Sequence, residues 1–318
     1  MTVTLLTRSN VRDICAALHI NPTKTLGQNF VHDGGTVRKI IKAANIEPGE
    51  HVLEVGPGLG SLTLGLLEAQ AKVSAVEIDP VLATALPATV VGHGGSELRV
   101  LRRDALKVRT LADLQQASPA TAEAEYEGET DPWGPPTKLV ANLPYNVAVP
   151  LVLNVLEHFP TITELLVMVQ SEVAQRLAAE PGGRIYGVPS VKVAWYGKAT
   201  LAGNISRNIF WPTPHVDSAL VRIQRYLPGQ SPLTDCLAEN PTAAGVSVTR
   251  EDVFALIDLA FAQRRKTLRA CLKNWAGSTV AAENILQQAQ IDPLRRGETL
   301  TINEFIALTA AAAQVKPQ

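Results

Sequence analysis

The four residues Asn142, Leu143, Pro144 and Tyr145 close an apolar run that opens at Lys138. None of the four titrates near neutrality, so the tetrapeptide is poorly suited to general acid or base work. It offers acceptors and a ring instead. The side-chain carbonyl of Asn142, with a main-chain carbonyl at Leu143 or Pro144, could accept both N–H bonds of an exocyclic amine such as N6 of adenine. That nitrogen is a poor nucleophile because its lone pair is delocalised into the ring. Holding both N–H bonds favours a pyramidal nitrogen whose lone pair faces an electrophile. A methyl group on a sulfonium is a ready electrophile, so proximity and orientation can supply most of the acceleration. Pro144 fixes the turn, and Tyr145 presents a face on which a base can stack. Taken in isolation, the same four residues would be an Asn-Pro type turn beside a core tyrosine.

The neighbouring strand ends decide how the tetrapeptide is read. In "EVGPGLGSLT" (54–63), Gly56, Gly58 and Gly60 let backbone pass close to a ligand. A dinucleotide fingerprint would need glycine at position 61, where Ser61 stands, which counts against a pyrophosphate. Glu77 in "VEIDP" lies 21 residues past Gly56 and could accept both hydroxyls of a ribose. Asp104 in "RRDAL" could accept from the exocyclic amine of an adenine ring, although Asp79 and Asp104 would serve equally well as helix N-caps. Three polar groups at three consecutive strand ends favour a nucleoside-containing cofactor, either S-adenosylmethionine (SAM) or a nicotinamide dinucleotide. Ile78 and Ala105, which follow the two carboxylates, complete the expected pocket. A hydride-transfer enzyme would want a general acid or base where "NLPY" has none, and this favours SAM.

These groups require a particular scaffold. "HVLEVG" (51–56), "KVSAVEID" (72–79), "ELRVL" (97–101), "KLVAN" (138–142) and "ELLVMVQ" (164–170) are short, apolar and bounded by turn residues, as buried parallel strands should be. Helix-length segments lie between them, so an α/β, Rossmann-like doubly wound sheet is predicted, with ligands at the C-terminal strand ends. Residues 117–136 are rich in Ala, Glu, Pro and Gly and read as a mobile surface insertion. From Thr249, a plausible N-cap with Asp252, apolar residues recur at helical spacing. The domains expected are therefore 1–226, carrying the sheet, and 227–318, a linker and small all-helical domain.

Composition narrows the class. The 318 residues are 46% hydrophobic and 19% charged, as in a soluble globular protein. No run is long enough for a bilayer span or a signal peptide, so the cytoplasm is expected. Cys15, Cys236 and Cys271 show neither disulfide nor zinc spacing, and no metal is expected. The net charge of −1 conceals a contrast: Glu123 to Asp131 holds five carboxylates and no basic residue, leaving the rest of the chain net basic. Basic residues gather at 99–109 and 264–273. A nucleic-acid partner is allowed, although solvated faces are the commoner origin of such runs.

"NLPYNV" resembles the motif of the ribosomal RNA adenine dimethylase family, most closely its small-subunit enzymes of the KsgA type. "TLGQNFVHD" (25–33), "EVGPGLGSLT", "QSEVAQRLAAEPGGRIYG" (170–187), "IFWPTPHVDSALVRI" (209–223) and "FAQRRKTLRACLK" (261–273) are similar to further motifs of that family, in the same order. The resemblance implies SAM contacts at Asn29, Val31, Gly56, Glu77, Asp104 and Asn142. It implies an aromatic at Phe210 covering the target base opposite Tyr145, and RNA contact or domain packing at Arg264, Arg265 and Lys266. It also implies dimethylation of N6 on two adjacent adenosines in the 3′-terminal hairpin of 16S rRNA, in the small subunit or its precursor, by a monomer. The rivals are a large-subunit rRNA methyltransferase of the antibiotic-resistance type, a non-catalytic RNA-binding factor on the same fold, and a dehydrogenase. Two departures from the family pattern stand out: the long acidic insertion, and Trp211 within a segment that is usually richer in proline.

Overall fold

The computed structural model describes residues 2–20, 29–120, 131–239 and 247–315. The N-terminal motif before Asn29 and half of the acidic insertion, residues 121–130, lie outside the described residues. The chain divides into two compact units, Met1–Ala174 with Thr200–Gln224, and Gln175–Ala199 with Arg225–Gln318. The sequence predicts a single boundary, after residue 226. Residues 175–199 instead group with the C-terminal helices, because Tyr186 and Val191 are buried in that helical core.

In the first unit, α1 (Arg8–Ala17), β1 (Phe30–Val31) and α2 (Gly34–Ala44) precede the sheet. There follow β2 (His51–Val55), α3 (Ser61–Glu68), β3 (Lys72–Glu77), α4 (Pro80–Gly92), β4 (Leu98–Arg102), α5 (Leu111–Leu114) and β5 (Ser118–Pro119). β6 (Lys138–Asn142), α6 (Ala148–His158) and β7 (Glu164–Gln170) come next. After α7 (Ser171–Leu177) and α8 (Val188–Ala194), the chain adds β8 (Gly197–Ile205), β9 (Phe210–Trp211) and β10 (Ser218–Arg225). Among the described residues, eight strands form one sheet in the order β5-β4-β3-β2-β6-β7-β10-β8. β2, β3, β4, β6 and β7 are mutually parallel, while β5 and β10 join antiparallel to β4 and β7.

The five parallel strands coincide with the five apolar runs to within two residues at either end. β2 is buried along its whole length, which is why its sequence shows no alternation. From β2 the chain steps outward through β3 and β4 on one side, then returns to lay β6 against the other side of β2. The loops leaving β2 and β6 therefore diverge, and an open α/β sheet has its crevice at such a point. α4 starts on Pro80, with the Asp79 carboxylate accepting from the amides of Val81 and Leu82.

The second unit contains α8, α9 (Pro232–Glu239), α10 (Arg250–Ala262), α11 (Leu268–Ala276), α12 (Thr279–Gln288) and α13 (Ile302–Val315). Thr249 caps α10, accepting from the Asp252 amide as its sequence predicts. Leu256 and Ile257 of α10, Leu272 of α11, Ile285 and Leu286 of α12, and Phe305 and Ile306 of α13 form its core. Tyr186 joins them, donating from its hydroxyl to the Leu300 carbonyl at 2.9 Å. Among the described residues, no helix is long and apolar enough to cross a membrane.

Candidate active site

At the switch point lies a cavity of ≈ 240 Å³. Asn29, Val31, Gly56, Gly58, Glu77, Ile78, Asp104, Ala105, Asn142, Leu143, Pro144 and Tyr145 all line it. Residues separated by more than 100 positions thus converge at neighbouring strand ends.

The glycine loop and Glu77 are built as one piece. The Gly58 amide donates to Glu77 Oε2 at 3.1 Å, and the Asp79 amide donates to Oε1 at 3.0 Å. The Glu77 carboxylate is 5% exposed and cannot swing away, yet each oxygen retains a lone pair for a ligand hydroxyl. Burial raises its pKa, and the two amide hydrogen bonds oppose that rise. Gly58 has φ +58°, and a Cβ there would stand 3.1 Å from the Phe30 ring, so both conformation and space demand glycine. Ile78 is 55% exposed at the cavity, an apolar surface suited to the face of a flat ring.

Asp104 caps a single 3-10 turn, Ala105–Lys107, through the Leu106 amide at 3.0 Å. It is therefore both the N-cap and a cavity residue, so the two alternatives do not exclude one another.

At the other wall, Asn142 is held by its amide nitrogen. Nδ2 donates to the Asn29 carbonyl at 3.3 Å. A carbonyl can only accept, so this contact fixes which end of the amide is which and leaves Oδ1 as an acceptor. The Leu143 amide donates to the Met168 carbonyl at 3.1 Å, and the Pro144 carbonyl accepts from the Val147 amide at 3.2 Å. The Tyr145 hydroxyl is 2.8 Å from the Ser218 hydroxyl, and burial raises the phenol pKa. The ring is thereby held at the cavity wall, and no base near neutrality is created.

Phe210 is the expected site residue that the cavity does not include. It is 1% exposed, pairs with Val31 in the β1–β9 ladder and packs in the core of the first unit. The aromatic cover opposite Tyr145 is therefore not formed in this structure. In the second unit, Arg264 pairs with Glu298 at 2.5 Å and donates to the Arg184 carbonyl, whereas Arg265 and Lys266 are exposed.

Sequence reasoning missed Glu54, Arg103 and Leu106 at the cavity, and Ser218 behind Tyr145. Glu54 is 1% exposed and accepts from the Thr63 hydroxyl at 2.7 Å, and burial pushes its pKa up to about 8. A carboxyl in an otherwise apolar buried strand was the available signal. No comparable signal distinguished Ser218.

The ribosomal RNA adenine dimethylase family model matches residues 20–234. A protein of Thermobifida fusca (strain YX) named ribosomal RNA small subunit methyltransferase A is 53% identical over 304 residues, covering 95% of this chain and 94% of that protein. One of the same name from Streptomyces griseus is 50% identical over 317 residues, covering 99% and 96%. Among solved structures, a dimethyladenosine transferase from Plasmodium falciparum superposes with a TM-score of 0.63 at 24% identity, over 88% of this chain and 95% of that one. The 23S rRNA methyltransferase ErmE gives 0.56 at 24% identity, over 90% and 100%. Both structures share the fold. With about half of its residues identical to those relatives along nearly its whole length, and the family model matching across the cavity-lining strands, the chain belongs to the ribosomal RNA adenine dimethylase family.

Proposed function

We infer that the chain is a SAM-dependent methyltransferase that dimethylates N6 of two adjacent adenosines in the 3′-terminal hairpin of 16S rRNA. It would act as a metal-free monomer in the cytoplasm during small-subunit assembly. The observation that carries this reading is the fixed amide of Asn142, with its nitrogen committed to Asn29 and its oxygen left as an acceptor at the cavity. The small-subunit names of relatives at about half identity support the choice of RNA.

The residues present fit the cofactor. Glu77, locked by two backbone amides, would hold the ribose hydroxyls; Ile78 would cover the adenine, and Asp104 would accept from its amine. Gly56 and Gly58 keep side chains out of the path. When bound, the cofactor supplies an electrophilic methyl group on a sulfonium.

The rest is done by the turn that ends β6. Asn142 Oδ1 accepts one N–H of the target amine. A main-chain carbonyl, at Leu143 or at Pro144 with the lone pair that the Val147 amide leaves, accepts the other. Tyr145, fixed by Ser218, receives the unstacked base. Orientation exposes the nitrogen lone pair, and the proton displaced by methylation leaves to solvent. After the first transfer one N–H remains to bind, and after the second none does, so the product loses both anchors. Labelled SAM with a mixture of unmethylated small and large subunits, followed by mapping of the modified bases, tests this reading. Two adjacent labelled adenosines in 16S rRNA are expected; label confined to large-subunit RNA, or none, overturns it.

A further inference from the structure

The basic stretch 99–109 plays no part in the amine clamp, yet it runs out of the same cavity. β4 ends at Arg102, parallel to β3, so the chain beyond it emerges at the ligand end of the sheet. Arg103, Asp104, Ala105 and Leu106 line the cavity, and the 3-10 turn carries the chain on through Lys107 towards Arg109.

Two anchors hold this loop. Asn154 Nδ2 donates to the carbonyls of Ala105 at 3.2 Å and Val108 at 3.0 Å. Asp113 Oδ2 accepts from the amides of Arg109 and Thr110 and from the Thr110 hydroxyl, at 2.9 to 3.0 Å. Its Oδ1 accepts from Arg103 Nη1 at 2.6 Å. Asp113 thus neutralises Arg103. Arg102, Lys107 and Arg109 are exposed and, among the described residues, have no carboxylate partner. A solvated charge run does not need its backbone pinned in this way. Asn154 also lies on α6, which begins at Ala148, just past the Asn142–Tyr145 clamp, so one helix ties the loop to the clamp.

We propose that Arg102, Lys107 and Arg109 form a phosphate rail for the RNA strand flanking the target adenosine, with Asn154 and Asp113 as positioning residues that hold the rail in register with Asn142. This rests on the RNA-methyltransferase reading above. Cations on phosphates fix register and orientation without reading sequence. The rail therefore sets how far along the strand the extruded base can lie, and the clamp selects the amine.

The test combines Arg102→Ala, Lys107→Ala and Arg109→Ala in the full chain. Binding of a short RNA carrying the 3′-terminal hairpin is measured from low to physiological salt. Each contact to an unpaired strand adds about 0.7 to the slope of log K against log salt, so three lost contacts lower it by about 2. At physiological salt, kcat/KM for RNA should fall about tenfold or more, with SAM affinity and heat protection by SAM unchanged. An equal triple, Arg8→Ala, Arg12→Ala and Lys39→Ala, alters exposed cations elsewhere and should leave the slope alone. Asn154→Ala keeps every cation but frees the loop; KM for RNA should rise while kcat and the salt slope hold. An unchanged slope in the rail variant, or an equal drop in the second triple, overturns the rail. Because the slope is read on binding, it judges the rail even if the wild type fails to methylate this RNA, which would sink the enzymatic reading instead.

Discussion

The hydroxyl of Tyr145 lies 2.8 Å from that of Ser218, a residue fully buried at the first position of β10. Ser218 pairs across the sheet with Gln170 at the end of β7, so the phenol of the "NLPY" turn is tethered to the β7–β10 ladder. If the ring is a platform for a base, loosening it should cost turnover more than cofactor binding. Ser218→Ala removes one hydrogen bond, worth about 1 kcal/mol of stability. We expect kcat to fall several-fold with KM for SAM unchanged. An unaltered kcat would make the tether purely structural.

Asn142→Ala removes an orienting acceptor. By comparison with removal of one preorganised hydrogen-bond partner from an active site, kcat should fall on the order of 10²-fold or more. Thermal stabilisation by SAM should persist, because the Glu77 end of the cavity is intact. The wild-type pH profile of kcat at saturating SAM should be flat through neutrality, since no group of the clamp titrates there. A bell shape centred near pH 7 would require a base that the clamp lacks.

Glu77→Ala should weaken SAM binding by about 1–3 kcal/mol, the cost of stranding two hydroxyls that had a charged acceptor. Burial raises the Glu77 pKa. Loss of the acceptor charge, and with it cofactor affinity, should therefore set in on acidification above the ordinary glutamate range of about 4.3. Calorimetric titration from pH 8 down through the ordinary glutamate range of about 4.3 reads both effects; a pH-independent affinity across it would remove Glu77 from the cofactor's contacts.

The parallel strands and their ends were legible because a strand buried on both faces must be uniformly apolar, and its last residue is where polarity returns. β3, β4, β6 and β7 each end on a polar residue, whereas β2 departs from the rule with Glu54 inside it and Val55 last; Glu77, Asp104 and Asn142 all fall at or just beyond the strand ends. What stayed hidden depends on contacts distant in sequence. Val31 meets Phe210, and Asn29 meets Asn142, across more than 100 residues, and no local pattern encodes such pairs. Phe210 could be recognised as a motif aromatic, but nothing local tells whether it faces a ligand or a core. The boundary at 226 failed to separate 175–199 from the sheet for a related reason: Tyr186 packs with Leu300 and Phe261, which lie far along the chain.

The described ends of the insertion, 117–120 and 131–136, are fastened at the end of the sheet opposite the ligand end. The Ala120 amide donates to the Leu98 carbonyl, and both Asp131 carboxylate oxygens accept from Arg99 Nη1, in each case at the start of β4 rather than at its ligand end. Arg99 also stacks 3.9 Å over Trp133, whose ring meets His51 edge-on. Joining Ala120 to Asp131 should therefore leave SAM affinity within about twofold of wild type. His51 sits in the same clamp, between the Gly134 carbonyl and the Ser74 hydroxyl, and burial lowers its pKa. The neutral ring is the folded form. Stability from this site is complete above the unfolded pKa of about 6.5 and declines as the pH falls towards the depressed folded value. His51→Gln should flatten that decline in urea midpoints measured from pH 8 to 5.

Glu54 should impose the opposite slope. It is 1% exposed, its hydrogen-bond partner is the neutral Thr63 hydroxyl, and burial pushes its pKa up to about 8, with the nearby Glu77 charge adding to the rise. The unfolded glutamate titrates near 4.3, so between about 4.3 and 8 the native chain holds a proton that the unfolded chain has released. Stability is then complete below the unfolded pKa and is lost as the pH rises through that window. Glu54→Gln keeps an acceptor for Thr63 and removes the titration, so the variant should gain on the wild type steadily from pH 5 to pH 8.5 in SAM-free protein. A constant difference across that range would mean that Glu54 is ionised in the fold, and that the cavity already presents two adjacent carboxylates to its ligand.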